Sequence, residues 1–254
     1  MSMLFLLRYD TEGDVESTAG FLAKAVEVHR ADAIPVTLFC TGKAIEAREG
    51  EFRDFHVAVA GDALFDIQNH SYSHIGLGYE AGQPVDVLRD DYARSFDTHA
   101  RVFDARPIGV SLCGTSGRDG ARLAGFDQTD KGRAEFKMIT DLGVRMINAH
   151  LTGVDESRQF CDYGRLGRPD VKGFPSGYSD TGWFFRKDYD EAMAYILGEI
   201  DRRAVAGEPM PLMLHDWCAW KCAPAKDLAH VRRIVAHARD VGYTPVTHVQ
   251  GAFR

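Results

Sequence analysis

The chain has 254 residues, of which 45% are hydrophobic and 26% charged, a composition that excludes extensive disorder and allows a sizeable core. Its net charge of −7, with acidic and basic side chains mixed along the chain, argues against nucleic acid as a partner. No apolar run reaches the length of a membrane span, and five cysteines, an odd number, do not form a disulfide framework. We therefore expect a cytoplasmic protein with no membrane contact.

Short apolar runs alternate with segments of helical periodicity, which is typical of a parallel α/β domain. The opening MSMLFLLRYD lacks the features of a signal peptide and is interpreted as the first strand. The seven predicted strands are LFLLRY, PVTLF, ALFDI, PIGVSL, VRMINA, PLMLH and YTPVT. Helices are predicted at about 17 to 31, 84 to 104, 131 to 142, 188 to 206 and 225 to 241. Neither a repeat nor a low-complexity linker interrupts this order, so residues 1–254 are predicted to form one domain.

The first predicted strand ends in the acidic stretch RYDTEGD. Residues two apart in a strand point the same way, so Asp10 and Glu12 are expected to project together, with Asp14 further along. Crowded carboxylates repel each other unless a cation or a proton intervenes. Ligands of parallel α/β folds bind at this end of the strands. Taken alone, the stretch is explained equally well as an acidic turn facing solvent.

The segment IQNHSYSH follows the third predicted strand and places His70 and His74 four residues apart. This spacing brings two imidazoles to one face of a helical turn, and neutral imidazole suits zinc and neighbouring transition metals. On its own the spacing is better explained by one core histidine and one exposed histidine. A carboxylate from another strand end would complete three ligands around an open position for water.

The sixth predicted strand, PLMLH, delivers His215 to the same edge of the sheet. A histidine there can act as a general acid or base because its ordinary pKa lies near neutrality. The alternative is a buried histidine bonded to the backbone, with Asp216 as its salt-bridge partner.

The order of D-x-E, HSYSH and LMLH resembles the polysaccharide deacetylase (NodB-homology) family, carbohydrate esterase family four. In the order and spacing of its motifs, the resemblance covers nearly the whole chain. The segment IQNHSYSH is the part whose residues are most similar to the family's usual sequence. The resemblance implies an α/β fold, a distorted (β/α) barrel with seven or eight mostly parallel strands. It also implies that Asp10 is the catalytic base, that His70 and His74 bind metal, and that His215 is the general acid.

The chain departs from this family at two motifs. Thr11 stands where the family has its metal-binding Asp, so the carboxylate ligand is assigned to Glu12, with Asp14 in reserve. The family's third motif supplies an Arg that braces the base, but the matching segment PIGVSLCGTSG has Ser111 and Cys113 instead. The substitutes considered for this Arg are Arg8, Arg118 and Arg122.

The remaining site residues follow from the same resemblance. In GFPSGYSDTGWFF, Asp180 is predicted to orient His215, and Trp183 to stack on a sugar. The loop around Cys113 and Gly114 is predicted to contact substrate and to offer a backbone N–H to the oxyanion.

The resemblance implies a hydrolase that uses one divalent metal, Zn²⁺ or else Co²⁺ or Ni²⁺, to remove an N-acetyl group. The substrate expected is a sugar, a nucleotide sugar or a glycan precursor. One alternative is an amidohydrolase of the same fold acting on a non-sugar amide, in the manner of allantoinase-like or formamide-hydrolysing relatives. The other is a catalytically idle carbohydrate-binding protein, suggested by the missing Arg. The sequence predicts no oligomeric state.

Overall fold

A computed structural model describes residues 3–79, 82–114, 125–152, 159–184, 188–222 and 226–254, apart from the side chains of residues 182, 183 and 222. Nine strands form one sheet in these ranges: β1 (Met3–Thr11), β2 (Val36–Cys40), β3 (Phe65–Asn69), β4 (Gly109–Val110), β5 (Met146–Asn148), β6 (Cys161–Tyr163), β7 (Arg168–Phe174), β8 (Met210–His215) and β9 (Tyr243–Val246). The helices are α1 (Val15–Thr18), α2 (Phe21–Ala31), α3 (Gly42–Ala47), α4 (Glu49–Val59), α5 (Val85–Phe103), α6 (Asp130–Asp141), α7 (Asp180–Trp183), α8 (Tyr189–Ala206), α9 (Asp216–Cys222), α10 (Ala229–Asp240) and α11 (His248–Ala252).

The strand order is β6-β7-β5-β4-β3-β2-β1-β8, and β9 pairs with the first half of β1. Every pairing is parallel except that of β6 with β7. The sheet does not close, although an isolated parallel bridge joins Ser179, which follows β7, to Met213 of β8. This open, distorted (β/α) barrel is the fold class that the sequence predicted.

The two faces of β1 serve different environments because successive side chains of a strand alternate. Phe5, Leu7 and Tyr9 belong to the large core cluster that the sheet shares with its covering helices. Arg8 lies on the other face, where its guanidinium stacks against the rings of Phe39 and Phe174. The interior of the barrel is therefore part apolar and part charged.

All seven predicted strands are present, but β6 and β7 were missed. The sequence of β7, RPDVKGF, carries charges, a proline and a glycine in place of an apolar run, and it forms an edge pairing with β6. The helices α3 and α4 between β2 and β3 were also missed. The helix predicted at about 17 to 31 is broken at Gly20, whose φ of 82° is left-handed and ends α1 before α2 begins.

Within the described ranges, none of the helices combines the length and the apolar character needed to cross a bilayer.

Candidate active site and metal centre

The carboxyl ends of β1, β3 and β8 bring the predicted site residues to one cleft. Asp10 stands opposite His215 in the β1–β8 register, and His70 directly follows β3. The cleft has a volume of about 1050 Å³, and its lining includes Asp10, Glu12, His70, His74 and His215. Five residues separated by up to 205 positions in the sequence thus face one space because parallel strands end at one edge.

The HSYSH segment reaches this cleft as an irregular loop, so the predicted helical turn is wrong. Ser71 and His74 have left-handed backbone angles, with φ values of 60° and 62°. The Asp91 carboxylate of α5 accepts hydrogen bonds from the backbone N–H groups of Tyr72 (2.7 Å) and Ser73 (3.1 Å) and fixes this conformation. The His70 and His74 rings still come together, with centroids 5.0 Å apart.

The tautomer of His70 follows from its partners. Its Nδ1 lies 3.0 Å from the carbonyl oxygen of Ser111, which can only accept, so Nδ1 carries the hydrogen and Nε2 carries the lone pair. Burial lowers the pKa of His70 to about 4 and keeps the ring neutral. His70 therefore presents the form of imidazole that binds a metal.

The Glu12 carboxylate lies between the three histidines. Its Oε1 is 4.0 Å from His70 Nε2, 3.7 Å from His74 Nε2 and 3.3 Å from His215 Nε2. Burial raises the pKa of Glu12 to about 7, against the opposing effect of His215. In the part of the chain described, Glu12 Oε1 and His70 Nε2 are both buried and lack a hydrogen-bond partner. Two orphaned acceptors this close fit a site for a cation.

A second set of ligand atoms shares the two histidines. Atoms of His70, His74 and Cys113 all lie within 4.8 Å of one another. However, Cys113 Sγ lies on the Nδ1 side of His70, at 3.8 Å, where the hydrogen already bonds to Ser111. The thiol donates instead to the His70 carbonyl at 3.3 Å, and burial raises the pKa of Cys113 well above its usual value. This donor set fits a metal less well than the set with Glu12.

The reserve carboxylate has another function. Asp14 caps α1, accepting from the backbone N–H of Ser17 at 2.8 Å, and it is exposed. Asp14 still lines the outer cleft.

Asp10 forms a buried ion pair with Arg8. Arg8 Nε lies 3.1 Å from Asp10 Oδ1, and Nη2 donates to Oδ2 at 3.3 Å. Burial alone would raise the pKa of Asp10, but Arg8 and then His70 and His215 lower it below its usual value. Arg118 and Arg122 lie outside the described residues. Of the three arginines considered, Arg8 is the one that the structure places against Asp10.

His215 is held by Asp180. Its Nδ1 donates to Asp180 Oδ1 at 2.7 Å, and its backbone N–H donates to Oδ2 at 2.8 Å. Burial opposes the charged ring, but the Asp180 hydrogen bond and charge raise the pKa of His215 to about 9. The alternative partner Asp216 is not used in this way, because its carboxylate bonds to Arg48 at 2.8 Å.

The structure describes the side chains of some, but not all, of the residues predicted to bind substrate. Cys113 and Gly114 line the cleft beside the metal-binding candidates. Trp183 lies in α7, and its side chain is outside the described part of the structure. The sequence reasoning missed Trp217, which lines the cleft with its ring centroid 5.5 Å from that of His215. Its position two residues after His215 was the available signal.

No family model and no curated protein matches this sequence. Among solved structures, a polysaccharide deacetylase candidate from Mycobacterium smegmatis is similar with a TM-score of 0.70 and 15% identity over 98% of this chain and 89% of its own. The Puue allantoinase is similar with a TM-score of 0.67 and 15% identity over 97% and 87%. A CE4 family pseudoenzyme from Bacillus anthracis has a TM-score of 0.60 and 13% identity over 98% of this chain and 65% of its own. The chain thus has the fold of the polysaccharide deacetylases of carbohydrate esterase family four, as the sequence resemblance predicted.

Proposed function

We propose that residues 1–254 form one catalytic domain, a metal-dependent hydrolase that removes an N-acetyl group from a cytoplasmic sugar, nucleotide sugar or glycan precursor. The observation that carries this proposal is a pair of buried acceptors, Glu12 Oε1 and His70 Nε2, which lie 4.0 Å apart and have no hydrogen-bond partner within the described residues. His74 Nε2 lies 3.7 Å from Glu12 Oε1. Such atoms are costly to bury unless a cation or a proton lies between them.

Glu12, His70 and His74 would hold one divalent metal, with Zn²⁺ as the first choice and Co²⁺ or Ni²⁺ as substitutes. Two imidazoles and one carboxylate leave a coordination position open. When bound, such a metal would supply a Lewis acid that polarises the substrate carbonyl and lowers the pKa of a water.

Asp10 acts as the general base. It lies 3.7 Å from His70 Nε2, at the edge of the proposed metal site, and accepts the proton of the attacking water. Arg8 takes over the bracing of this carboxylate, since its guanidinium holds Asp10 ionised and in one orientation. The missing motif-three Arg is therefore not evidence for an idle protein.

His215 acts as the general acid. An amine leaves readily only when it is protonated, and Nε2 of His215 faces the cleft while Asp180 holds Nδ1. A backbone N–H of the loop around Cys113 and Gly114 stabilises the oxyanion. Trp183 packs on the sugar face of the substrate. The products are acetate and a free amine.

The test combines metal analysis with acetate release. Purified protein should carry or bind one equivalent of a transition metal and should release acetate from N-acetylated sugars only in that form. Protein that binds no transition metal and gains no activity with Zn²⁺, Co²⁺ or Ni²⁺ would refute the proposal.

A second candidate function is hydrolysis of a non-sugar amide, and the similarity to the Puue allantoinase favours it. Asp10, Glu12 and His215 would have the same roles in both reactions. In each reaction water attacks a carbonyl carbon and a nitrogen leaves. A screen of acetylated sugars against linear and cyclic amides separates the two by the preferred kcat/KM.

A further inference from the structure

The loop that carries Glu12 is tied down by a buried ion pair from two other parts of the chain. Asp216 Oδ1 accepts hydrogen bonds from the backbone N–H groups of Glu12 (3.0 Å) and Gly13 (3.1 Å). Its other oxygen, Oδ2, accepts from Arg48 Nη1 at 2.8 Å. The side chains of Arg48 and Asp216 are fully buried, with 0% exposure each. We call this pair the Arg48–Asp216 clamp.

Arg48 is itself fixed at the junction of α3 and α4. Its Nη1 also donates to the Gly13 carbonyl at 3.1 Å, so it holds the loop through both the loop backbone and Asp216. Its Nε and Nη2 donate to the two oxygens of Glu51, at 3.1 and 2.9 Å. The guanidinium lies over the ring of Phe52, 5.0 Å from its centroid. If the Arg48 side chain moved away from the loop, it would lose several charged hydrogen bonds.

Gly13 has no room for a side chain. A Cβ added at Gly13 would collide with the side chain of Thr18 and would come within 3.2 Å of Asp216 Oδ2. The absence of a side chain at Gly13 therefore lets the carboxylate of Asp216 approach the bare backbone.

Asp216 directly follows His215 in the sequence. The Arg48–Asp216 clamp therefore ties the loop that bears the candidate metal ligand to the strand end that bears the candidate acid. The outcome is the observed cluster, in which Glu12 Oε1 lies 3.3 Å from His215 Nε2 and 3.7 Å from His74 Nε2.

We propose that Arg48 and Asp216 are positioning residues that set the Glu12 carboxylate against His70, His74 and His215, and thereby tune metal affinity. This inference rests on the proposed function, because it requires Glu12 to be a ligand. Outer residues that orient ligands typically change metal affinity by about 10- to 100-fold.

The experiment measures Zn²⁺ affinity by competition with a chromophoric chelator, beside the midpoint of thermal unfolding. Asp216→Asn and Arg48→Met should each weaken Zn²⁺ binding by about 10- to 100-fold. Both should lower the unfolding midpoint, because each breaks the buried Arg48–Asp216 ion pair. The double variant removes both charges, so its midpoint should recover relative to Arg48→Met while its Zn²⁺ affinity stays low.

Arg203→Met is the matched control. Arg203 is another buried arginine, 1% exposed and bonded to the carbonyl of Pro209 at 2.7 Å, and it does not line the cleft. Its loss should lower the unfolding midpoint and leave Zn²⁺ affinity unchanged. Wild-type affinity in folded Asp216→Asn and in the double variant would overturn the clamp as a positioning device. A wild-type protein that binds no Zn²⁺ would instead refute the proposed function and the clamp's purpose with it.

Discussion

Two buried histidines, His29 and His70, lie on opposite sides of β1 and differ in the surroundings of one ring nitrogen, Nε2. On the helix side, His29 Nδ1 bonds to the Ile34 carbonyl at 2.9 Å, and its Nε2 bonds to the Tyr9 hydroxyl at 3.1 Å. On the interior side, His70 Nδ1 bonds to the Ser111 carbonyl at 3.0 Å, but its Nε2 has no hydrogen-bond partner among the described residues. Burial lowers the pKa of both rings to about 4.

Burial and a depressed pKa therefore do not distinguish a structural histidine from a candidate ligand. The second nitrogen does, because a neutral imidazole has one donor and one acceptor to satisfy. At His29 the chain supplies a hydroxyl for the acceptor. At His70 the nearest oxygens are those of the Asp10 and Glu12 carboxylates, 3.7 and 4.0 Å from Nε2, and among the described residues neither forms a hydrogen bond with it. This difference at Nε2 indicates that His70 binds a cation and that His29 has a structural role in the core.

The largest expected effect comes from removing the unsatisfied nitrogen. In His70→Ala, bound metal should fall from one equivalent to background, because the site keeps only two protein ligands. Metal analysis after dialysis measures this, and His29→Gln is the matched control that should keep its metal. Equal metal content in wild type and His70→Ala would place the ion elsewhere.

Removing the proposed general acid, His215, should lower the rate of catalysis without affecting metal binding. His215→Ala should lower kcat by about 10²- to 10⁴-fold while the protein still binds one equivalent of metal. Steady-state acetate release and metal analysis on the same preparation check both halves. Loss of metal in this variant would make His215 a ligand and not an acid.

The Arg8 ion pair should matter for rate more than for metal binding. Arg8→Lys keeps the charge but loses the hydrogen bond from Nη2 to Asp10 Oδ2. We expect kcat to fall by about 10- to 100-fold, since a charged hydrogen bond contributes roughly 1.5–3 kcal/mol. Metal content should be unchanged. A kcat equal to that of the wild type would show that Asp10 needs no arginine to act as the base.

The structural histidine should affect stability alone. His29→Gln disrupts hydrogen bonds to a buried ring and should lower the free energy of unfolding by about 1–3 kcal/mol. Urea unfolding at neutral pH measures the loss. An unchanged urea midpoint would mean that the contacts with Tyr9 and Ile34 contribute nothing to stability.

The smallest expected effect is the pH dependence of the contribution that His29 makes to the free energy of unfolding. The pKa of His29 is lowered from 6.5 to about 4 in the folded chain, so the unfolded state takes up a proton first as the pH falls. The contribution of neutral His29 is complete above about pH 6.5 and is lost progressively towards pH 4. Urea midpoints of wild type and His29→Gln should therefore converge between these pH values. A constant difference would contradict the assigned pKa shift.

The sequence anticipated those parts of the molecule that depend on local pattern. Apolar runs predicted seven strands. Because Asp10, His70 and His215 lie at or just after the ends of three of these strands, the sequence also predicted that they share one edge of the sheet. β7 was not predicted because its sequence, RPDVKGF, lacks a regular pattern of apolar residues. This strand is stabilised by pairing with β5 and β6. The HSYSH turn was misjudged because Asp91, 17 residues beyond His74, holds it in a left-handed path.

The choice of side-chain partners could be predicted from the sequence only in part. The family resemblance predicted that Asp180 orients His215, but it left Arg8 as one of three candidates to pair with Asp10. Asp216 was considered as the salt-bridge partner of His215, but in the folded chain its carboxylate pairs with Arg48. These choices depend on side chains brought together from distant segments, for which one sequence carries no local signal.

The central claim is that Glu12, and not Cys113, completes the site with His70 and His74. Titration of the metal-free protein with Co²⁺, followed by absorption spectroscopy, tests it most directly. We predict one equivalent of tightly bound Co²⁺ whose spectrum lacks the intense near-ultraviolet band of thiolate-to-cobalt charge transfer. A spectrum with that band, abolished by Cys113→Ser, would contradict the assignment.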